Sequence, residues 1–154
     1  SGFCPAARLL DSGINVAIGT DSAASNNDLD MFSEMRSTAM LAKGVAGDAS
    51  ALPAATALRM ATYNGALALG IAGDTGSLES GKYADITAVD LGSLESQPIY
   101  HPISQLVYAS SRNMVSDVWV GGRQALKSGK MTTLDENKLL AAASHWQEKV
   151  REQS

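Results

Sequence analysis

The run Ile14-Asn15-Val16-Ala17-Ile18-Gly19-Thr20-Asp21 constrains the fold more than any other stretch of this chain. An apolar, partly β-branched segment stops at a carboxylate, and a loop of small polar residues runs on from Ser22 to Asp28. Apolar runs of this kind read as strands of a parallel sheet covered on both faces. In α/β barrels the residues that do chemistry stand at the C-terminal ends of such strands. The sequence therefore predicts a strand at residues 14–20 that carries Asp21 to the mouth of a barrel.

The segments around this run alternate as an α/β fold requires. Cys4 to Asp11 reads as a short helix with Pro5 in its first turn and Leu9 and Leu10 facing inward, and Ser12-Gly13 stops it. Asn26, Asn27 and Asp28 are the expected caps of the next helix, Leu29 to Lys43, whose apolar positions are Leu29, Phe32, Met35, Met40 and Leu41. Pro53 opens a helix containing Ala57, Leu58 and Met60, and Tyr63 to Leu69 forms another. Their small, alanine-rich faces predict a closely packed helical layer.

Beyond Gly73 the texture becomes turn-rich. Strands are expected at Ile86–Val89 and Val115–Val120, with Gly121-Gly122 turning into Arg123–Leu126 and a short helix over Ile103–Ser110. A final helix over Asp135–Glu152 places Leu139, Leu140, Ala143, Trp146 and Val150 on one side, with Thr133 as its expected cap.

Composition narrows the function classes. Apolar residues make up 45% of 154 and charged residues 18%, a globular balance. The net charge is −4 and the basic residues are scattered, which leaves no footprint for nucleic acid. No apolar run approaches the roughly 20 residues of a membrane span. Ser1-Gly2-Phe3-Cys4 has neither the basic region nor the apolar core of a secretory signal. With one cysteine, Cys4, an internal disulfide is impossible, and the cytoplasm is the expected compartment.

Three segments together carry a family resemblance. Gly19-Thr20-Asp21-Ser22-Ala23-Ala24-Ser25-Asn26-Asn27, with Leu29-Asp30-Met31 and Glu34-Met35-Arg36 after it, resembles the last barrel strand and loop of the amidohydrolase superfamily. Gly76-Ser77-Leu78-Glu79-Ser80-Gly81-Lys82-Tyr83-Ala84-Asp85-Ile86 resembles a hairpin of that superfamily's small β-sandwich. Val115 to Arg123 resembles a strand pair near its C-terminus. Within the superfamily the chain is most similar to methylthioadenosine/S-adenosylhomocysteine deaminases and to the triazine chlorohydrolases.

The resemblance implies a C-terminal fragment of a TIM-type (β/α)8 barrel plus part of a β-sandwich. Residues 1–73 would end the barrel, 74–126 would form the sandwich portion with an intervening helix, and 127–154 the C-terminal helical segment. A barrel typically needs about 250 residues, more than this chain has. The implied activity is metal-dependent hydrolysis of C–N bonds other than peptide bonds, here hydrolytic deamination of a thioether nucleoside. A divalent metal, zinc, would lower the pKa of the attacking water to about 7. By the resemblance Asp21 matches the aspartate that binds this metal and accepts the water's proton, while the metal-binding histidines would lie in a missing N-terminal barrel portion.

Other roles stay open at this level. Asp21, taken without its flanks, also reads as a loop cap. Ser22, Ser25 and Asn26 either face substrate or bond within their loop. Leaving-group chemistry on a triazine-like ring is an alternative, and so is a non-catalytic interaction module. His101 and His145 read as surface or packing residues, Cys4 as a buried thiol, Glu34 and Arg36 as a packing or ion pair, and Trp119 as sandwich core. A terminal barrel strand has unpaired edges, which predicts completion by the missing strands or a homo-oligomer.

Overall fold

The protein is described here, as a computed structural model, over residues 2–152. Ser1, Gln153 and Ser154, the outermost residues of the expected 1–73 and 127–154 segments, lie outside the described residues. The chain combines a helical layer with one antiparallel sheet.

The helical layer contains α1 (Ala6–Asp11), α2 (Met31–Ala46), α3 (Ala54–Ala61), α4 (Tyr63–Ala68) and α5 (Pro102–Tyr108). Its core joins Ala6 of α1, Met35, Ala39 and Ala42 of α2, Ala54, Ala57 and Met60 of α3, and Val107 of α5. The many alanines let helix backbones approach closely, as their clustering in the sequence predicts. Met60 and Val107 are fully buried, each contributing roughly 1.5–3 kcal/mol by leaving water. On α2 the packed face is Met35-Ala39-Ala42, while Met40 and Leu41, two of the apolar positions read at helical spacing, are exposed. Ala39 and Ala42 lie in the shared core, and Ala42 sits beside Ala6 and Ala7 of α1.

Helix ends follow local chemistry. Gly13, with φ +77°, follows α1, and the amides of Gly13 and Ile14 bond back to the carbonyls of Leu10 and Leu9. Gly70 closes α4 in the same way, onto Leu67 and Ala66. The cap of α2 is Asp30, whose Oδ1 accepts from the Phe32 amide at 2.9 Å, and not the expected Asn26, Asn27 or Asp28. Asp135, in place of Thr133, accepts from the amides of Asn137 and Lys138 at the start of α6 (Glu136–Glu152). Both corrections have one cause: a cap must lie within two or three residues of the amide it satisfies.

Residues 14–20 correct the sequence reading most. They pair with no strand among the described residues, and their burial alternates from Val16 to Thr20. They lean instead on α3 and α4. The Ile18 amide donates to the Met60 carbonyl at 3.1 Å. Asn15 Nδ2 donates to the Asn64 carbonyl, and Asn64 Nδ2 donates back to the Val16 carbonyl, each at 3.0 Å. Val16 and Ile18 pack on the helical core while Ala17 and Gly19 are exposed, so one face is covered rather than two.

The sheet runs in the order β1 (Ile86–Val89), β2 (Val115–Val120), β3 (Arg123–Lys127) and β4 (Lys130–Met131), all neighbours antiparallel. Gly121-Gly122 and Ser128-Gly129 form the two-residue turns, each with φ positive at both positions, which suits the twist of a tight hairpin. The sandwich expectation is met only by this single sheet, and β4 adds a strand that the sequence reading lacked. Trp119, expected in a sandwich core, is half-buried. The apolar side of α6 is exposed, including Leu140, Trp146 and Val150.

Gly76 joins the helical layer to the segment that leads into the sheet. Its φ is +90°, and a Cβ there would lie 2.6 Å from Ala66 Cβ and 3.1 Å from Tyr63 Cα. Gly76→Ala is expected to cost about 2–5 kcal/mol, from left-handed strain plus overpacking. A denaturation midpoint that does not fall would contradict this packing.

Candidate active site

Asp21 ends the extended segment with φ +61°, a conformation uncommon for any residue except glycine. Its side chain is exposed. Oδ2 accepts a 2.6 Å hydrogen bond from the Ser25 hydroxyl, and no hydrogen bond to Oδ1 occurs among the described residues. The loop beyond is wound tightly: the amides of Ser25 and Asn26 both donate to the Ser22 carbonyl, at 3.0 and 2.9 Å. Ser25 is thereby turned toward the carboxylate, the loop-internal role of the two that the sequence left open.

The loop is fastened to its surroundings farther along. Asn26 Nδ2 donates to Glu34 Oε1 at 2.6 Å, and Asn26 Oδ1 accepts from the Asp28 amide at 3.1 Å. Arg112 Nη1 reaches Asp28 Oδ1 at 2.7 Å and also donates to the Asp28 carbonyl. Glu34 and Arg36 are not paired with each other, because side chains two positions apart on a helix point to different sides. Glu34 serves Asn26, and Arg36 donates to the buried Ser110 carbonyl. Sequence reasoning missed Ser25 as the partner of Asp21, and it missed Arg112 altogether. The first has a signal in the sequence, a hydroxyl four residues after the acid in a loop of small residues. The second has none, since 84 residues separate Arg112 from Asp28.

The remaining candidates stay apart from Asp21. His101 precedes α5 and His145 lies on α6; both are exposed. Cys4 is exposed rather than buried, since it precedes α1 and lies outside the helical core. Among the described residues no three His, Cys, Asp or Glu side chains stand close enough to hold a metal ion. Asp21 offers a fitting oxygen donor, one of the several that a zinc site needs.

The Gly76–Ile86 segment proves to be a structural knot. Lys82 lies over the Tyr63 ring, 5.3 Å from its centroid, donates to Ser77 Oγ at 2.6 Å and pairs with Glu79 at 3.4 Å. The Ser77 hydroxyl, and then Lys82, hold the Glu79 carboxyl below its usual range. Asp85 Oδ1 accepts from the Gly121 amide at 2.6 Å and its Oδ2 from Thr75 Oγ1 at 2.8 Å, so this acid ties the hairpin turn to the helical side.

The model of the amidohydrolase family matches residues 1–125. The chain belongs to the amidohydrolase family. A 5-methylthioadenosine/S-adenosylhomocysteine deaminase of Teredinibacter turnerae is 51% identical over 150 residues, 97% of this chain and 34% of the relative. Its counterpart in Moorella thermoacetica is 45% identical, over 92% of this chain and 33% of that protein. The zinc-bound crystal structure of an adenosine deaminase from Xanthomonas campestris superposes with TM-score 0.95 at 53% identity, covering 99% of this chain and 35% of that one. An atrazine chlorohydrolase from Arthrobacter aurescens, also complexed with zinc, gives 0.84 at 28% identity, over 94% and 32%. This amidohydrolase chain thus spans about a third of the length of the relatives it matches. No described helix is long and apolar enough to cross a membrane.

The hydrogen bonds to Asp85, first from Gly121 and then from Thr75, hold its carboxyl below the ordinary aspartate value of 3.8. A carboxyl whose folded pKa is depressed stabilises the fold above its unfolded pKa and loses that contribution as pH falls through the folded one. Followed by NMR at the Gly121 amide, the Asp85 titration is expected to have its midpoint below 3.8. A midpoint at or above that value would contradict the contact.

Proposed function

We propose that the protein carrying this chain is a zinc-dependent hydrolase that deaminates methylthioadenosine, S-adenosylhomocysteine or closely similar nucleosides, with Asp21 as metal ligand and proton acceptor. The observation that carries the reading is the 51% identity to a deaminase across 97% of this chain, Asp21 loop included. A zinc ion supplies water of pKa about 7 at neutral pH. The other ligands come from the two thirds of the relatives' length that this chain does not span. Residues 1–73 then close the barrel, 74–126 contribute to the sandwich and 127–154 form the terminal helical segment.

What this chain contributes is a carboxylate held in one orientation. The Ser25 hydroxyl occupies Oδ2 and leaves Oδ1 for other contacts. In the proposed reaction water adds to the ring carbon that bears the amino group, and Asp21 takes up the water's proton. The same proton passes to the amino nitrogen, the C–N bond breaks and ammonia leaves, and the hydroxyl proton moves to the ring nitrogen so that a ring carbonyl remains. Positioned proton transfer of this kind contributes typically about 10²–10⁴-fold.

Chloride or alkylamine release from a triazine-like ring is the second reading, favoured by the likeness to the Arthrobacter aurescens enzyme. The identity is 28% there against 53% with the Xanthomonas campestris deaminase, so the nucleoside reading stands first.

The test is ammonia and chloride release by the full-length protein from methylthioadenosine, S-adenosylhomocysteine and a chloro-triazine. Asp21→Asn is expected to lower turnover by about 10²-fold or more with the melting temperature retained. Turnover that survives this change would overturn the role of Asp21; chloride release alone would favour the second reading.

A further inference from the structure

We propose that Arg112 is a positioning residue for the Asp21 carboxylate, acting through the loop between them; this rests on the reading of Asp21 given above. The path is continuous. Arg112 holds both the carboxylate and the carbonyl of Asp28, and the Asp28 amide donates to Asn26 Oδ1. The Asn26 amide and the Ser25 amide converge on the Ser22 carbonyl, and the Ser25 hydroxyl ends the path at Asp21 Oδ2.

Backbone strain explains why the loop needs a tie. Asp21 at φ +61° and Leu29 at φ +49° bracket it, both left-handed and neither a glycine. Such conformations persist only where the surroundings over-determine them. Leu29 is half exposed, so packing does little to hold it. The holding falls to Asp30 and Asn26 on the α2 side and to Arg112 on the other.

The segment that carries Arg112 is itself fixed. Arg36 of α2 donates to the carbonyl of Ser110, a fully buried residue two positions before Arg112. Two arginines therefore cross between the same regions in opposite directions, one from α2 to Ser110 and one from Arg112 to the loop before α2. The Arg112–Asp28 pair is itself exposed, with side-chain exposures of 56% and 50%. A pair so exposed adds little to global stability. Its effect is local: it sets how the loop presents Ser25 to Asp21, and beyond it the chain enters β2, so the sheet takes part in ordering the acid.

The experiment uses the full-length protein and three variants, Arg112→Gln, Arg112→Lys and Asp21→Asn, with amide exchange followed by mass spectrometry and turnover measured on methylthioadenosine. In Arg112→Gln, exchange over residues 21–28 is expected to rise about fivefold or more while α3 and the sheet are unchanged, as a local opening requires. The kcat is expected to fall about tenfold with KM within about twofold, since misplacement of a catalytic group acts on the chemical step. Arg112→Lys, which keeps a positive charge and a donor to replace the Nη1 contacts with Asp28, is expected to recover part of both. Unchanged loop exchange in Arg112→Gln would overturn the tie, as would exchange that rises everywhere. A kcat within about twofold despite a loosened loop would overturn the positioning role. Turnover surviving in Asp21→Asn would instead overturn the reading beneath it, and loop exchange tells the two failures apart.

Discussion

Extended backbone without a neighbouring strand must place its amides and carbonyls somewhere, and here two asparagines provide the place. Asn15 and Asn64 exchange side-chain amide bonds with each other's part of the backbone, and the Ile18 amide reaches Met60. Asn64 is buried, so its amide group would carry a desolvation cost without Val16 to receive it. These bonds fix the segment in rotation about its own axis, which turns Val16 and Ile18 onto the helical core and leaves the alternate residues outward. The position of Asp21 follows, because it is the next turn of the same backbone. An acid on a segment free to roll would have no defined direction.

The rest of the molecule acts as a brace for that acid. Ala39 and Ala42 of α2 and Ala54 and Ala57 of α3 are buried in the one core that the helices share. The start of α2 sets Asp30, and the loop from Asp21 must end there. On the opposite side Gly76 packs against Ala66 of α4, and Asp85 links the Gly121 turn of the sheet to Thr75 beyond α4.

Much of the fold was legible because its signals are local. Gly13 and Gly70 end helices by accepting positive φ, Gly121-Gly122 forces a tight hairpin, and Ile86–Val89 and Val115–Val120 have the composition of strands. The caps were read less well: Asp30 and Asp135 displaced nearer-looking candidates, since several polar residues in a row offer the same chemistry and only backbone geometry selects one. The strand expected at 14–20 rests on its apolar run and on the family resemblance, and neither supplies a pairing partner within this chain. Asp21 itself was legible from its flanks, whereas its hydrogen bond to Ser25 required the loop to be wound.

By itself the sequence determined the family and the alternation of helices and turns, both of which rest on residues close together in the chain. The tertiary structure alone decided which face of residues 14–20 is covered, that Glu34 and Arg36 serve different partners, and that Arg112 reaches Asp28 across 84 residues. The physical reason is one of range. Backbone preference and side-chain spacing act over a few residues, but a hydrogen bond between distant segments exists only once packing has brought them within about 3 Å.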